Sequence, residues 1–582
     1  MSQDIYRIVS MLELNTQTDT SQPVFCDTET CGLYGKVRLL QVHQAHWDQC
    51  LLVEWPNQLE VAAYLAGVTS IWHNAHYDLT TIAPRFIPKN FEDTFLLSRL
   101  AQPQYEKYSL DEVMTRVHGF DPYETAGLDK KELQKSKWDK AKLDDDQILY
   151  AAIDVFYMPE VWEAVKHHLD DPSYILDKST LKSGLDFQWN GLPVQANRIQ
   201  EAYDETIQKL RQIPWESTAR TWSYCNGPHT VVMPFNPRSA PQVREALGLE
   251  GTSKSILAEQ AVAHGNQEAK NVMDARSYMK LIGFIEKYDT DMIYGKFKPS
   301  ARSGRLTSDD ENLQQIPRAL KGVFGTDEDH VLIYSDYAQL ELRTICAIIG
   351  VKVMEEMFRK GVDLHGYVAS VLFGEDYKKS DRQVTKTYNF NLLYGGSVGM
   401  VLSILLTYGM FIDPRKASRH KTKWLNLFKE INKWQQECIS KWRKGKLNKT
   451  PLGRQYKAKL MTDFMNIMNQ GAGAEVAKLA LHYFYHWLKE NYPEVELCNF
   501  IHDSYIIKAP NDPAVYQPVA QKLAECMQEA WFEMSKLYLI KDLPMPIDVR
   551  VGTNWGDLEE DKGIIWQYNL EGMEFSSTKE AN

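Results

Sequence analysis

An α/β layered segment followed by a larger α+β assembly is the fold class predicted by this 582-residue sequence. Three observations carry that expectation. Short apolar strands alternate with helical patterns over residues 24–160, and the chain then breaks at Asp170-Asp171-Pro172-Ser173. Beyond the break, widely spaced strands are parted by long helical stretches. Length adds the third, because single cores rarely grow beyond ~250–300 residues.

In the first segment VFCDT (24–28), VRLLQVH (37–43), CLLVEW (50–55) and SIWHN (70–74) read as strands, and 76–86, 93–101 and 145–168 read as helices. The break sets domains at 1–172 and 173–582. Residues 196–290 are mostly helical with one polar face, and 295–305 form a loop rich in Gly, Ser and Lys. VLIYSDYA opens a strand that runs into a helix within 331–349, and long helices fill 380–445. A turn at Thr450-Pro451-Leu452-Gly453 precedes a helix over 464–490, a hairpin over 497–508 and a strand over 545–551. This pattern predicts a sheet platform carrying helical subdomains. The last ~25 residues are polar and acidic and are expected to be loosely ordered.

Apolar residues make up 44% and charged residues 25%, an ordinary soluble composition. No apolar run is long enough to cross a bilayer, and the N-terminus lacks the basic start and apolar core of a signal peptide. The eight cysteines show no zinc spacing, so free thiols in a reducing cytoplasm are expected. Net charge is −11, yet residues 415–459 hold fifteen Lys or Arg against Glu430 and Glu437, a local charge of +13. Such a stretch suits phosphate binding, and equally a solvated basic helix face.

A first set of acids lies in the α/β segment. Asp27 and Glu29 end a strand in DTET, Asp78 follows Asn74 by one helical turn in NAHYD, and Tyr150 and Asp154 share a helix face in YAAID. Each alone reads as a turn or cap residue. Four carboxylates in one pocket, however, raise one another's pKa and need cations. Two Mg²⁺ ions ~3.5–4 Å apart would balance them and activate water for in-line phosphodiester cleavage, with Mn²⁺ able to substitute.

A second set lies in the α+β segment. Asp336 sits in an apolar strand, where aspartate is poorly suited without a partner or metal, and Asp503 marks the tip of a hairpin in IHDSY. Remote in sequence, they can meet only on neighbouring strands of one sheet. Between them Arg382, Lys386, Phe390 and Tyr394 recur every four residues and so share one helix face. That face offers cations suited to a triphosphate and aromatics suited to a base and sugar; an amphipathic helix with two surface cations gives the same spacing. Gly395-Gly396 would end the helix.

DTET, NAHYD and YAAID, in that order, resemble the three motifs of the DnaQ-like proofreading exonucleases, which have an RNase H-like fold. The resemblance implies that Asp27, Glu29 and Asp154 bind metals, that Asp78 completes the shell, that Tyr150 orients the attacking water and that Leu33 wedges against the terminal base. Over nearly the whole chain, SGRLTSDDENLQQIP (303–317), SDYAQLELR (335–343), DLH (363–365), the Arg382–Tyr394 stripe, NIMNQGAGAE (466–475), IHDS and VGTNW (551–555) resemble the family A DNA polymerases. That implies a right-hand polymerase domain with a thumb about 190–300, a palm about 301–350 and 450–582, and fingers about 351–449. By the same resemblance Asp336 and Asp503, with the Tyr337 carbonyl, hold two Mg²⁺. Arg382, His365 and Lys386 grip the triphosphate, with Lys386 also a proton donor to pyrophosphate. Glu341 excludes a 2′-OH, Phe390 disfavours dideoxynucleotides and Tyr394 stacks beside the nascent pair. Arg305, Asn466, Gln470 and Arg454 contact the duplex. One departure stands out: Ser504 replaces the carboxylate usual after Asp503, and its role is open.

Primer-template DNA and dNTPs are the expected partners, with replisome proteins such as a helicase or single-strand-binding protein; a cytoplasmic monomer and no membrane association are expected. An exonuclease beginning near residue 24 and a short thumb segment suggest a compact viral replicase. Two rivals are a single-subunit RNA polymerase, against which Glu341 and Phe390 argue, and an inactive nucleic-acid-binding homologue, against which the intact acids argue.

Overall fold

The computed structural model describes residues 5–226 and 229–570. Residues 571–582, most of the acidic tail expected to be loosely ordered, lie outside the described residues, as does the Cys225 side chain. The described chain forms two compact units. The first comprises the chain up to Trp189 with Lys296–Thr307 and Leu447–Lys457; the second comprises Asn190–Gly295, Ser308–Lys446 and the chain from Ala458 onward.

The first unit is built on a mixed six-stranded sheet: β1 (Tyr6–Ile8), β2 (Val24–Thr30), β3 (Val37–His43), β4 (Cys50–Glu54), β5 (Ser70–Trp72) and β6 (Phe91–Asp93), in spatial order β1-β4-β3-β2-β5-β6. β2 runs antiparallel to β3 and parallel to β5. β1 and β6 are too short to show an alternating pattern, which is why the sequence reading passes over them. Alternate residues of one strand feed both faces: Val24 and Cys26 pack into one core cluster, Phe25 into the other. The helix expected over 76–86 stops at Thr81, ahead of Pro84, and that expected over 145–168 divides into Asp145–Phe156 and Met158–Val165 at Pro159.

The compact unit runs past the break at 170–173, as far as Trp189. Asp171 Oδ1 accepts from the Ser173 backbone N–H at 2.8 Å and starts a helix, Pro172–Asn190. Tyr174, Leu181 and Leu185 of that helix belong to the same core cluster as β2. A polar dipeptide before proline reads as a linker in sequence but serves here as a helix start.

The second unit carries an all-antiparallel sheet of Glu496–Ile501, Ser504–Pro510, His330–Tyr337, Ile547–Gly552 and Ile564–Leu570, in that spatial order. The helices Met461–Asn491 and Pro513–Ser535 pack against it: Tyr505 donates to the Ala477 carbonyl and Tyr337 to the Met527 carbonyl, both at 2.7 Å. Within 196–290 the helices Ala196–Arg211, Ala240–Leu247, Lys254–Ala263 and Gln267–Lys287 are joined by an unexpected hairpin, Trp222–Asn226 with His229–Met233.

The basic run 415–459 is divided rather than continuous. Its helices Pro414–Leu427 and Lys429–Arg443 belong to the second unit, and Leu447–Lys457 belongs to the first. Arg454, expected on DNA, is 3% exposed and pairs with Asp177 at 2.6 Å, itself 1% exposed. A guanidinium enclosed in this way is structural, which corrects that assignment. Asp177→Ala strands a buried cation and should cost about 3–5 kcal/mol, read as a lower denaturation midpoint of this unit. Joint replacement of Asp177 and Arg454 by Leu and Met should recover most of it; an unchanged midpoint in the single variant would contradict the pairing.

Candidate active sites

β2 brings Asp27 and Glu29, two residues apart and so on one face of the strand, to a cleft of about 520 Å³ that Thr28 also lines. Thr28 donates to Asp78 Oδ1 at 2.7 Å and so fixes Asp78 at the rim of the same cleft. Asp93 caps from beneath, accepting from the Asn74 and Ala75 backbone N–H groups at 3.1 and 3.0 Å. Helix Asp145–Phe156 contributes Tyr150 and Asp154 one turn apart. One ligand oxygen each from Asp27, Glu29 and Asp154 lies within 4.8 Å of the others. Tyr123 donates to Asp154 Oδ1 at 2.5 Å, and Asp154 Oδ2 is buried without a hydrogen-bond partner. A set of hard oxygens with one left unpartnered fits a divalent cation. Leu33 stands 75% exposed on the cleft wall.

Burial raises the carboxyls of Asp27 and Glu29 well above the usual range, and neighbouring acids add to the rise. Burial lifts Asp154 to about 6 and Asp78 to about 7. Lys130 opposes this at Asp27, Glu29 and Asp154; it lines the cleft, is held by Asp111 at 2.7 Å and lies 4.8 Å over the Tyr123 ring. Lys130, Tyr123 and Thr28 escape the sequence reading because a lysine in KK and a lone tyrosine carry no spacing signal.

In the second unit, strand register sets Asp336 directly across from Ser504, next to Asp503 at the hairpin tip, and across from Asp548 on its other side. His502 takes the left-handed conformation (φ 60°) that the tight turn requires. Asp336 opens onto a cavity of about 540 Å³ shared with Arg550 and Glu559. Its carboxyl nevertheless sits low among protein groups, and this desolvation, with Glu559 nearby, lifts it to about 6 against the pull of Lys321 and Arg550. The Ser504 hydroxyl donates to the Ile501 carbonyl at 3.2 Å and so closes the turn.

Helix Lys379–Leu393 shows its expected stripe: Lys386 is exposed, Arg382, Phe390 and Tyr394 are half-buried, and Val384, Tyr388 and Leu392 face the core. Arg382 forms a forked pair with Asp363, at 2.6 and 3.1 Å. Arg382 outweighs the burial of Asp363 and holds its carboxyl below the usual range. His365 is driven to about 4 by burial and is neutral at pH 7. Its tautomer follows from two bonds. Trp424 Nε1 donates to Asn389 Oδ1 at 2.7 Å, so Asn389 Nδ2 faces His365 Nδ1 at 2.9 Å as donor and the imidazole proton sits on Nε2. Asn466 and Gln470 are half-buried on one face of Met461–Asn491, Asn466 Oδ1 buried without a partner, whereas Arg305 belongs to the first unit.

An acidic cluster fit for a divalent cation in one unit, and an aspartate set by strand register beside the hairpin tip of Asp503 in the other, suit an enzyme that works on phosphodiesters. Comparison with known proteins makes the class specific. Residues 233–557, more than half of the chain, match DNA polymerase family A, and residues 5–170 match a 3′-5′ exonuclease family. The chain belongs to DNA polymerase family A; it is a DNA-directed DNA polymerase with a 3′→5′ exonuclease domain ahead of the polymerase domain. It is 25% identical to DNA polymerase I of Aquifex aeolicus over 579 residues, covering 92% of this chain and 96% of that one. It is 26% identical to the thermostable DNA polymerase I of Thermus filiformis, over 47% of this chain and 33% of that one. It is likewise 26% identical to the DNA polymerase of Bacillus phage SP01, over 44% and 31%. In fold it is similar to the polymerase domain of Pol1 from M. smegmatis, solved in complex with DNA primer-template and dNTP, with a TM-score of 0.73, 17% identity and coverage of 94% and 98%.

The raised acids make stability depend on pH. Between about pH 4 and 7 the folded, metal-free cluster holds protons that the unfolded chain has released, so stability falls as pH rises through that window. Asp154→Asn removes one such group. In chelator, its Tm relative to the native chain should therefore rise between pH 5 and pH 8, by on the order of a few °C. A calorimetric difference moving the other way would refute the assignment of cause.

Proposed function

We propose that the second unit extends a DNA primer with dNTPs at Asp336 and Asp503, and that the first removes 3′-terminal nucleotides at Asp27, Glu29, Asp78 and Asp154. The observation that carries the synthetic half is the register pairing Asp336 with Ser504, the residue after Asp503. Two Mg²⁺ ions per centre, replaceable by Mn²⁺, would neutralise developing charge on the phosphoryl oxygens and lower the pKa of the attacking hydroxyl or water. Asp336, Asp503 and the Tyr337 carbonyl would hold them in one centre; Asp27, Glu29 and Asp154 would hold them in the other.

The remaining steps belong to the protein's own groups. Arg382 exchanges Asp363 for triphosphate oxygens, which Asp363 prepares by keeping the guanidinium fork extended. His365 offers its Nε2–H to the same oxygens without adding charge. Lys386, exposed at the middle of the stripe, meets the pyrophosphate as a cation and proton donor. Phe390 and Tyr394 carry the sugar and base, and Glu341 closes the space a 2′-OH would need. Asn466, Gln470 and Arg305 position the duplex. In the exonuclease cleft Leu33 parts the terminal base from its neighbour, and Tyr150 orients the water. No helix among the described residues is long and apolar enough to cross a membrane. The relatives include bacterial and phage enzymes alike, and the proposal does not depend on a viral source.

Primer extension is the test. With dNTPs a labelled primer should lengthen; without them it should shorten. Asp336→Ala should abolish lengthening and leave shortening, and Asp27→Ala the reverse, each by a factor on the order of 10² or more. Loss of both in either variant, or of neither, sinks the assignment, and a preference for ribonucleotides would favour the RNA polymerase rival. Binding to primer-template should also weaken linearly in log–log terms as salt rises, because exposed cations of helices Pro414–Leu427 and Lys429–Arg443 release counterions from DNA. A flat salt response would remove that role.

A further inference from the structure

Asn469 lies on helix Met461–Asn491, one residue before Gln470, and its side chain is fully buried. Its amide meets three groups. Nδ2 donates to the Tyr394 hydroxyl at 2.9 Å and to the Glu341 carbonyl at 2.8 Å, and Oδ1 accepts from Thr344 Oγ1 at 2.7 Å. The Tyr394 hydroxyl in turn donates to Glu341 Oε2 at 2.9 Å. Three helices thus meet at one amide: Leu340–Ile349 with Glu341 and Thr344, Lys379–Leu393 with Tyr394 at its end, and Met461–Asn491.

The directions of these bonds are determined. Tyr394 has one proton; with the Asn469 N–H pointing at its oxygen, that proton goes to the Glu341 carboxylate. The Glu341 carbonyl fixes which way the amide faces, since it can only accept and so must meet Nδ2, which leaves Oδ1 to accept from Thr344. The chain Thr344, Asn469, Tyr394, Glu341 therefore runs in one sense and ends on the carboxylate, each bond polarising the next. A buried amide at this place is not neutral filler, because it is tolerated only with its partners in place.

We propose that Asn469 is a positioning residue for sugar selection: it orients the Tyr394 hydroxyl and, through it, the Glu341 carboxylate that meets the nucleotide's C2′ position. The proposal rests on the reading of Glu341 as the group that excludes a 2′-OH. A mere tie between helices would affect stability and leave sugar preference alone.

The full-length protein tests this on a primed template, with kcat/KM measured separately for a dNTP and the matching rNTP. Asn469→Asp keeps an acceptor for Thr344 but cannot donate to Tyr394; Asn469→Leu removes both functions. Each should lower the dNTP-to-rNTP ratio by about tenfold or more, as for a lost hydrogen bond to a charged group. Exonuclease shortening of single strands should be unchanged. Should either Asn469 variant fail to fold, Thr344→Val carries the test: it leaves Oδ1 buried without its donor, weakens the hold on the amide and should shift the ratio in the same direction. A folded variant with the native ratio overturns the proposal. Absence of any extension by the native chain would instead overturn the polymerase reading itself, and a lowered ratio in Glu341→Ala with no change at Asn469 would confine selection to Glu341.

Discussion

Like charges held close together are the constraint around which this molecule is arranged. Asp27, Glu29 and Asp154 bring ligand oxygens within 4.8 Å of one another, and burial has already pushed their carboxyls upward. Only a rigid frame keeps such groups together without a cation. β2 supplies it for Asp27 and Glu29, with strands hydrogen-bonded on both sides, and Asp145–Phe156 supplies it for Asp154. Thr28, Tyr123 and Lys130 relieve part of the repulsion with two hydroxyls and one ammonium. The frame costs stability so that the cluster stands ready for metal.

In the second unit Asp336 faces a cavity of about 540 Å³, similar in size to the 520 Å³ cleft of the first. Asp336 keeps contact with solvent, and its raised pKa reflects Glu559 and the surrounding protein mass as Lys321 and Arg550 pull the other way. The neighbouring helix Lys379–Leu393 can carry so polar an outer face because its inner face is anchored. Gln435 Nε2 donates to the Leu392 and Leu393 carbonyls at 2.6 and 2.9 Å, and Trp424 fixes Asn389. The anchor also decides which nitrogen of His365 carries the proton.

Sequence made the strand-borne acids legible because aspartate in an apolar strand is a local contradiction, visible without coordinates. The four-residue stripe was legible because helical geometry projects it onto one face. The helix start at Pro172 and the hairpin at 222–233 were not, since the first looks like a linker and the second lies within a mostly helical stretch. Arg454 was misread because a cation in a basic run gives no sign of a buried partner 277 residues earlier. The division of the basic run between the two units is invisible to charge counting, which ignores tertiary placement. Asn469, Lys130 and Asn389 escaped because their partners are fixed only by tertiary packing.

Ser504 sits in a row of polar residues that crosses the sheet. Across the sheet, Ser504, Asp336, Asp548 and Asn569 face one another in direct register. Side chains so paired lie on the same face with Cβ atoms ~4.5–5.5 Å apart. Asp548 is held by Arg550 at 2.6 Å and by Gln567 at 2.7 Å, and it places one partly neutralised acid beside Asp336. A carboxylate at 504 would set a second acid on the other flank and raise the Asp336 carboxyl further. A hydroxyl there adds no charge, and its bond to the Ile501 carbonyl holds the turn that presents Asp503. The neutral residue thus adds nothing to the rise that burial and Glu559 already give the Asp336 carboxyl.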